Sequence, residues 1–290
     1  MQVMTSDMYT VNVIGCGRVG KTLAALMHQM GAGKIQDLYS RSSSSAYSAA
    51  QFIAAGNAVD KLESMRMADI WLIAVPDSQI SAVVSDLLVA SDKTKAPILE
   101  QPIAFHCSGF ESSSVMEPLR SKGFSIASLH PMLSFADPDL SVNMFKDTPC
   151  AVEGDKHTIA ILSRWIEQIG GKPFELAAEN KGLYHAAAVF SSNLNVVLQA
   201  IAVEAWQASG VPQSMVTKLH HALLSATTQN VLLRGPQHAL TGPAARGDAR
   251  VVNLQHKIVE QWHIEAGQAY VLLSNMASRL AHSGLTFPDK

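Results

Sequence analysis

Cysteine is scarce in this chain and basic runs are missing, and each absence narrows what the protein can be. Cys16, Cys107 and Cys150 stand far apart and form no C-x-x-C pair, which argues against a disulfide framework or a thiolate zinc site and fits a reducing cytosol. Acids and bases nearly balance at a formal charge of −2. No Lys or Arg cluster marks a nucleic-acid face or an anionic membrane surface, so a small molecule is the expected partner. The first ten residues hold no basic segment followed by an apolar core, and no stretch reads as the roughly 20 apolar residues of a membrane span. The expectation is a soluble, cytoplasmic protein with neither a nucleic-acid nor a membrane partner. The 11 histidines lack carboxylate or cysteine ligands at recognisable spacing, and no metal site is expected. Low complexity is confined to Ser42-Ser43-Ser44-Ser45.

What is present is a dinucleotide signature in its required setting. Gly15-Cys16-Gly17-Arg18-Val19-Gly20 follows the apolar run from Tyr9 to Ile14 and leads into a helical stretch, Lys21 to Met27, matching G-x-G-x-x-G between strand and helix. The first glycine permits the tight turn, the second lets backbone approach a pyrophosphate, and the third lets helix and strand pack closely. The free N–H groups of the new helix then face the phosphates. An NAD site carries an acid about 20 residues further on, for the ribose 2′-OH. Here the second strand, Lys34 to Tyr39, ends in Ser40-Arg41-Ser42. A planar guanidinium among hydroxyls suits a 2′-phosphate, which favours NADP over NAD. The alternative is a solvated Arg41 in a serine-rich turn.

Up to about residue 176 short β-rich runs alternate with helical stretches. The runs are Thr10 to Ile14, Lys34 to Tyr39, Ile70 to Val75, Ile103 to His106, Phe124 to Leu129, Cys150 to Val152 and Pro173 to Leu176. This alternation reads as α/β, a parallel sheet covered by helices, with ligands at the strand ends. Val75-Pro76, closing the third run, belongs to that edge, and Gln79 to Leu88 continues it with helical periodicity. From Glu179 onward strand-like alternation stops. Long amphipathic segments follow, Lys181 to Ser209, Gln213 to Leu233, Asp248 to Trp262 and Ile264 to Ser283. The expected division is a dinucleotide-binding domain over 1–177 and an all-helical domain over 178–290. The segment Lys181 to Ser209 is too apolar for a lone surface helix and is expected at the centre of the helical domain or at a subunit interface.

Three further clusters carry candidate chemistry. His106-Cys107-Ser108-Gly109 sits at a strand end, where Ser108 is either a substrate or nicotinamide hydrogen-bonder or a helix N-cap. Ser128-Leu129-His130-Pro131-Met132 leaves His130 beside the cleft, suited to proton transfer near neutral pH or else a structural turn residue. Tyr184-His185 and Asn193 lie on the long apolar segment, eight residues separating His185 from Asn193 on one helix face. A loop, Leu240 to Asp248, places Asp248 to cap the next helix and leaves Arg246 free for an anionic group.

With these residues in hand, the chain resembles the Rossmann-like proteins that carry a DUF2520 helical domain, related to pyrroline-5-carboxylate reductase, ketopantoate reductase and prephenate dehydrogenase. The motifs that carry the resemblance are His106-Cys-Ser-Gly109, His130-Pro131, the run from Tyr184 to Asn193 and the run from Leu240 to Asp248. It implies an N-terminal NADP-binding domain joined to a helical dimerisation domain like that of 6-phosphogluconate dehydrogenase. His130-Pro131-Met132 is similar to the His-Pro segment of prephenate dehydrogenases, whose histidine accepts the substrate hydroxyl proton, and Ser108 falls near their strand-end serine. Ketopantoate reductases place a lysine and two asparagines where this chain has His185, Val189 and Asn193. The hydroxyacid dehydrogenase pairing of lysine with asparagine one turn on also departs here, since Lys181 is followed by His185.

Together these readings describe an NADP-dependent oxidoreductase, a homodimer, with its nicotinamide in a crevice between the domains. His185 or His130 would be the acid or base, Ser108 and Asn193 would orient the substrate, and Arg246 would hold a carboxylate or the domain junction. The cofactor would lie on Gly15, Cys16, Gly17, Arg18, Val19, Gly20, Ser40, Arg41, Ser42, Val75 and Pro76. Two rivals remain, a non-catalytic NADP sensor and a structural dimer with a vestigial glycine loop.

Overall fold

A computed structural model describes residues 8–90 and 101–287. The chain divides into two compact units, residues 1–192 and 193–290. The first is built on one sheet of eight strands: β1 (Thr10–Ile14), β2 (Lys34–Tyr39), β3 (Asn57–Val59), β4 (Ile70–Ile73), β5 (Ile103–His106), β6 (Ser125–Pro131), β7 (Pro149–Gly154) and β8 (Lys172–Glu175). Their order is β3-β2-β1-β4-β5-β6-β7-β8. The chain winds outward on one side of β1 and then resumes on its other side at β4. The gap between the carboxyl ends of β1 and β4 is therefore the topological switch point, where open α/β sheets bind ligands.

The central strands are apolar on both faces because helices cover both. β4 and β5 are buried throughout, as parallel strands between two helical layers must be. The helices of this unit are α1 (Arg18–Gln29), α2 (Ser43–Ile53), α3 (Asp77–Ala90), α4 (Pro138–Met144), α5 (Lys156–Gln168) and α6 (Lys181–Ser191). Leu23, Leu26 and Met27 of α1 repeat at helical spacing and are buried. On the same face Phe105 meets Trp165 edge to face at 5.7 Å, and the indole N–H donates to the Ala32 carbonyl at 2.9 Å. Parallel register aligns Ile14 with Ile73, Ile73 with His106, and His106 with Ser128. Four strand ends thus face one edge.

Two details of the sheet depart from the sequence reading. The strand around Cys150 runs antiparallel to β6, pairing His130 with Ala151, because the connection from Met132 to Thr148 re-enters at the edge where β6 ends. A parallel partner would need a crossover to the opposite edge. The three-residue β3 lay below the length at which alternation is legible in sequence.

The second unit holds α7 (Asn193–Ala208), α8 (Gln213–Ala239), α9 (Ala249–Trp262) and α10 (Ile264–Ser283). The expected continuous helix from Lys181 to Ser209 is broken at Ser192, whose backbone sits at φ −118°, ψ −71°. Its hydroxyl donates to the Ala188 carbonyl at 3.1 Å, the side-chain competition by which Ser and Asn interrupt helices. Asp248 caps α9 as expected, accepting from the Val251 amide at 3.2 Å. α8 kinks at Gly235, which takes φ +75° before Pro236. Among the described residues of this unit only Val216 and Gly267 are buried within the chain. One apolar segment meets the length and composition of a membrane span, although it is interrupted at Ser192. That segment, Ala178–Ala208, has a mean hydropathy of 1.6 in its best window.

Candidate active site

The glycine turn forms as its residue types require. Gly15 holds φ +97°, and a Cβ there would stand 2.4 Å from the Ala74 carbonyl oxygen. A Cβ on Gly20 would meet the Gly15 carbonyl at 2.1 Å, the close helix–strand contact assigned to the third glycine. Gly17 differs, since a Cβ there would meet nothing within 4 Å. Its missing side chain keeps space open. That space is a cleft of about 420 Å³ at the switch point. Gly15, Cys16 and Gly17 line it together with Ser40, Arg41, Ser42, Val75 and Pro76. Arg18, Val19 and Gly20 instead make the first turn of α1 behind the cleft, and that turn carries no side-chain cap. Its amide donors are oriented as an anion site at a helix start requires.

Two neighbours bear on cofactor choice. Asp37, the acid within β2, is buried against Arg66 at 2.6 Å and also accepts the Arg66 backbone amide at 2.8 Å, so it is committed to structure. Arg41 is exposed at the rim with Ser42 beside it. The thiol of Cys16 donates to the Tyr39 carbonyl at 3.4 Å. Burial pushes that thiol up to about 11, which keeps it neutral beside the phosphate-binding turn. Gln79 and Asp86 of α3 also line the cleft. Sequence reasoning passed over them, although their place in the helix following Val75-Pro76 was the available signal.

Further along the same edge lies a group of imidazoles. His106, at the end of β5, is fully buried. Its Nδ1 accepts the Ser108 amide at 3.2 Å and its Nε2 lies 3.1 Å from the Ser112 carbonyl. An acceptor Nδ1 and a donor Nε2 require the neutral ring. Burial accordingly lowers His106 to about 4. Ser108 is 6% exposed, and its hydroxyl accepts the amides of Phe110 at 3.1 Å and Glu111 at 2.8 Å. These bonds close a turn, and the helical segment that follows starts at Ser113 after Ser112, so Ser108 is not its N-cap. Accepting two amides leaves the hydroxyl its own O–H as a donor.

That turn presents Gly109 to two histidines. A Cβ on Gly109 would lie 2.6 Å from His185 Nδ1 and 2.8 Å from both Cε1 and Nε2 of His130. The His130 and His185 rings meet edge to face at 5.6 Å, and Tyr184 Oη lies 3.2 Å from His130 Nδ1. His130 is lowered to about 4 by burial first, then by the charges of His185 and Lys181. Tyr184 is raised to about 12 by burial and stays a phenol. His185 Nδ1 is buried against Gly109 with no hydrogen-bond partner among the described residues. A proton on that nitrogen would be an unsatisfied buried donor, whereas a bare lone pair is tolerated better. A single ring proton is therefore better placed on Nε2 than on Nδ1.

The structure thus brings His130 and His185 together, with Tyr184 of the same candidate cluster as a third member. Asn193 opens α7 and Arg246 is an exposed residue of the loop before α9, both in the second unit. His185 belongs to α6 of the first unit and Asn193 to α7 of the second. Sequence reasoning also missed Lys181. It is the one Lys or Arg of α6 and shares a face with Tyr184 and His185 at three and four residues, spacing that was readable.

A switch-point cleft behind a glycine turn defines a dinucleotide-fold protein with an appended helical unit. Comparison with known families bears this out and names the parts: a Rossmann-like domain matches residues 3–131, and DUF2520, a domain of unknown function, matches residues 148–277. The chain combines these two domains. A search of curated proteins returned no match. Among solved structures, a provisionally assigned NADP oxidoreductase of Bacteroides fragilis is similar over 94% of this chain and 98% of its own, at 22% identity and TM-score 0.76. A Thermotoga maritima protein is similar over 94% and 99%, at 25% identity and TM-score 0.71. An imine reductase of Myxococcus stipitatus in complex with NADP+ is similar over 96% of both chains, at 17% identity and TM-score 0.63.

Proposed function

We propose that the protein is an NADP(H)-dependent oxidoreductase that moves hydride between the nicotinamide and a small carbonyl, imine or hydroxyacid. The observation that carries this reading is the sharing of one sheet edge by an open glycine-turn cleft and an imidazole pair. The cleft would hold the dinucleotide on Gly15, Gly17 and the first amides of α1, with Arg41 and Ser42 on a 2′-phosphate. The cofactor supplies the hydride chemistry. The similarity to an imine reductase bound to NADP+ and to a pyrroline-5-carboxylate reductase of Coxiella burnetii supports the same class.

Hydride addition to a carbonyl or imine leaves charge that a proton donor must quench. His185, with its proton on Nε2, is assigned that role. His130, neutral near pH 7 and bonded to Tyr184, orients the substrate or accepts the proton in reverse.

The chain is further proposed to act as a homodimer through its helical unit. Leu198, Leu223, Leu233 and Ile258 are among its exposed apolar residues, and a helical body with two buried residues lacks a core of its own. A bilayer suits the segment around α7 poorly, because Ser191, Ser192, Asn193 and Asn195 fall at its middle. A second copy of the chain can satisfy both kinds of residue.

The test is a hydride-transfer screen at 340 nm with NADPH against cyclic imines, ketones and ketoacids, and with NADP+ against hydroxyacids. His185→Ala should lower turnover by about a hundredfold or more with cofactor affinity unchanged, within the 10² to 10⁴ typical of a positioned acid. Activity retained in both His185→Ala and His130→Ala would overturn the acid–base assignment. NADPH binding without turnover of any substrate would favour the sensor.

A further inference from the structure

Lys181 is among the most deeply buried residues of the first unit, 1% exposed, and none of the roles above uses it. A buried ammonium loses several kcal/mol of hydration, so a methionine or leucine would serve mere packing better. The Nζ donates to the Ser108 carbonyl at 3.0 Å and to Ser128 Oγ at 2.7 Å. Ser128 Oγ in turn donates to Glu153 Oε1 at 3.1 Å. Glu153, also buried, accepts the Ser113 hydroxyl on its other oxygen at 2.9 Å, and the Ser113 amide. A cation and a carboxylate are thus joined through one serine hydroxyl, and each of these four side chains comes from a different segment of the fold.

The two anchors of the ammonium are the turn after β5 and the strand β6. Those segments carry Gly109 and His130. Tyr184 and His185 follow Lys181 by three and four residues, on the same face of α6. Whatever fixes Lys181 therefore fixes both rings against Gly109 and His130. We propose that Lys181 is a positioning residue for the imidazole pair, its ammonium clamping α6 to the ends of β5 and β6 so that His185 and Tyr184 are seated on Gly109 and His130.

The clamp also has an electrostatic consequence. The groups that act on His130 are Tyr184, His185 and Lys181 from α6 and Asp77 at the start of α3. Lys181 and His185 oppose a charge on His130, and Asp77 favours one. An uncharged residue at 181 relaxes the restraint that keeps His130 neutral.

The proposal rests on the assignment of His130 and His185 as the acid–base pair, but its test needs neither substrate nor turnover. Full-length protein with 13Cε1-labelled histidine is titrated by NMR, the His130 signal being assigned through His130→Gln. In Lys181→Met the His130 midpoint should rise by about half a pH unit or more, while NADPH affinity at the glycine turn stays within about threefold of the parent. Ser128→Ala keeps the charge and removes one anchor. It should leave the His130 midpoint low while amide exchange in α6 accelerates about tenfold or more. An unchanged midpoint in Lys181→Met, or parent-like exchange in Ser128→Ala, overturns the proposal. So does a loss of NADPH binding in parallel with the His130 change, since that marks Lys181 as a support of the whole unit. If Lys181→Met does not fold, the exchange result in Ser128→Ala decides.

Discussion

The neutral, buried His106 makes the stability of the protein depend on pH in a window that its carboxylates do not share. In the folded chain His106 is lowered from 6.5 to about 4, by burial foremost. An unfolded chain leaves the ring at its ordinary value. Between these two values the unfolded state binds a proton that the folded state refuses, so stability must fall as the pH falls through the window. The contribution is intact above about pH 6.5, declines toward pH 4, and is fully lost below it. At about 1.4 kcal/mol per pH unit the total is roughly 3 kcal/mol, a large share of the 5 to 15 kcal/mol of a typical fold. Structurally, protonating Nδ1 sets an N–H against the Ser108 amide and opens the turn that carries Gly109. Replacement by glutamine keeps a donor and an acceptor but removes the titration. Urea unfolding at fixed protomer concentration, from pH 7.5 to 4.5, should give parent and His106→Gln curves that converge by about 2 to 3 kcal/mol toward the acid end. Carboxylates such as Asp155, held down to about 2 chiefly by Arg120, lose their contribution lower still and in both proteins alike. Parallel curves across the whole range would refute the reasoning.

The cofactor site and the assembly are tested more briefly. Arg41→Ala should cut the preference for NADPH over NADH by about ten- to a hundredfold, the value of roughly 1.5 to 3 kcal/mol for a charged contact, and equal affinities for the two cofactors in calorimetry of the parent would remove the assignment. Gly17→Ala should leave stability within about 1 kcal/mol, because its Cβ meets nothing within 4 Å, yet weaken dinucleotide binding about tenfold or more by filling the approach to the pyrophosphate. Unchanged affinity in that variant would move the cofactor elsewhere. Sedimentation at micromolar concentration should report a dimer, consistent with the roughly 2,000 Å² or more that obligate interfaces bury. A stable monomer would contradict it.

What the sequence made legible was local. The glycine turn, most strands of the sheet, the cap at Asp248 and the ends of the last helix rest on residues within one or two turns of one another, and the structure has them where the pattern placed them. What it concealed depends on neighbours distant in the chain. Nothing near Cys150 reveals that its strand runs against β6, because direction is set by the edge at which a connection returns. Ser108 illustrates the same limit. Sequence alone did not show that its hydroxyl would bond the amides of Phe110 and Glu111 in a turn that ends before the helical segment at Ser113.

Lys181 is the sharpest instance. In sequence it is one lysine opening an apolar helix, and it drew notice only for failing a lysine–asparagine spacing. Its partners lie 73 and 53 residues away, on segments brought together by the pairing of β5 with β6. Ser128 aligns with His106 in that pairing, so the register that brings strand ends to one edge also sets the ammonium beside the turn carrying Gly109. A one-residue slip between β5 and β6 would turn Ser128 to the opposite face of the sheet and leave the ammonium without its link to Glu153. Sheet register and site geometry are therefore one constraint in this fold, and the imidazole pair inherits its placement from the hydrophobic pattern of the strands beneath it.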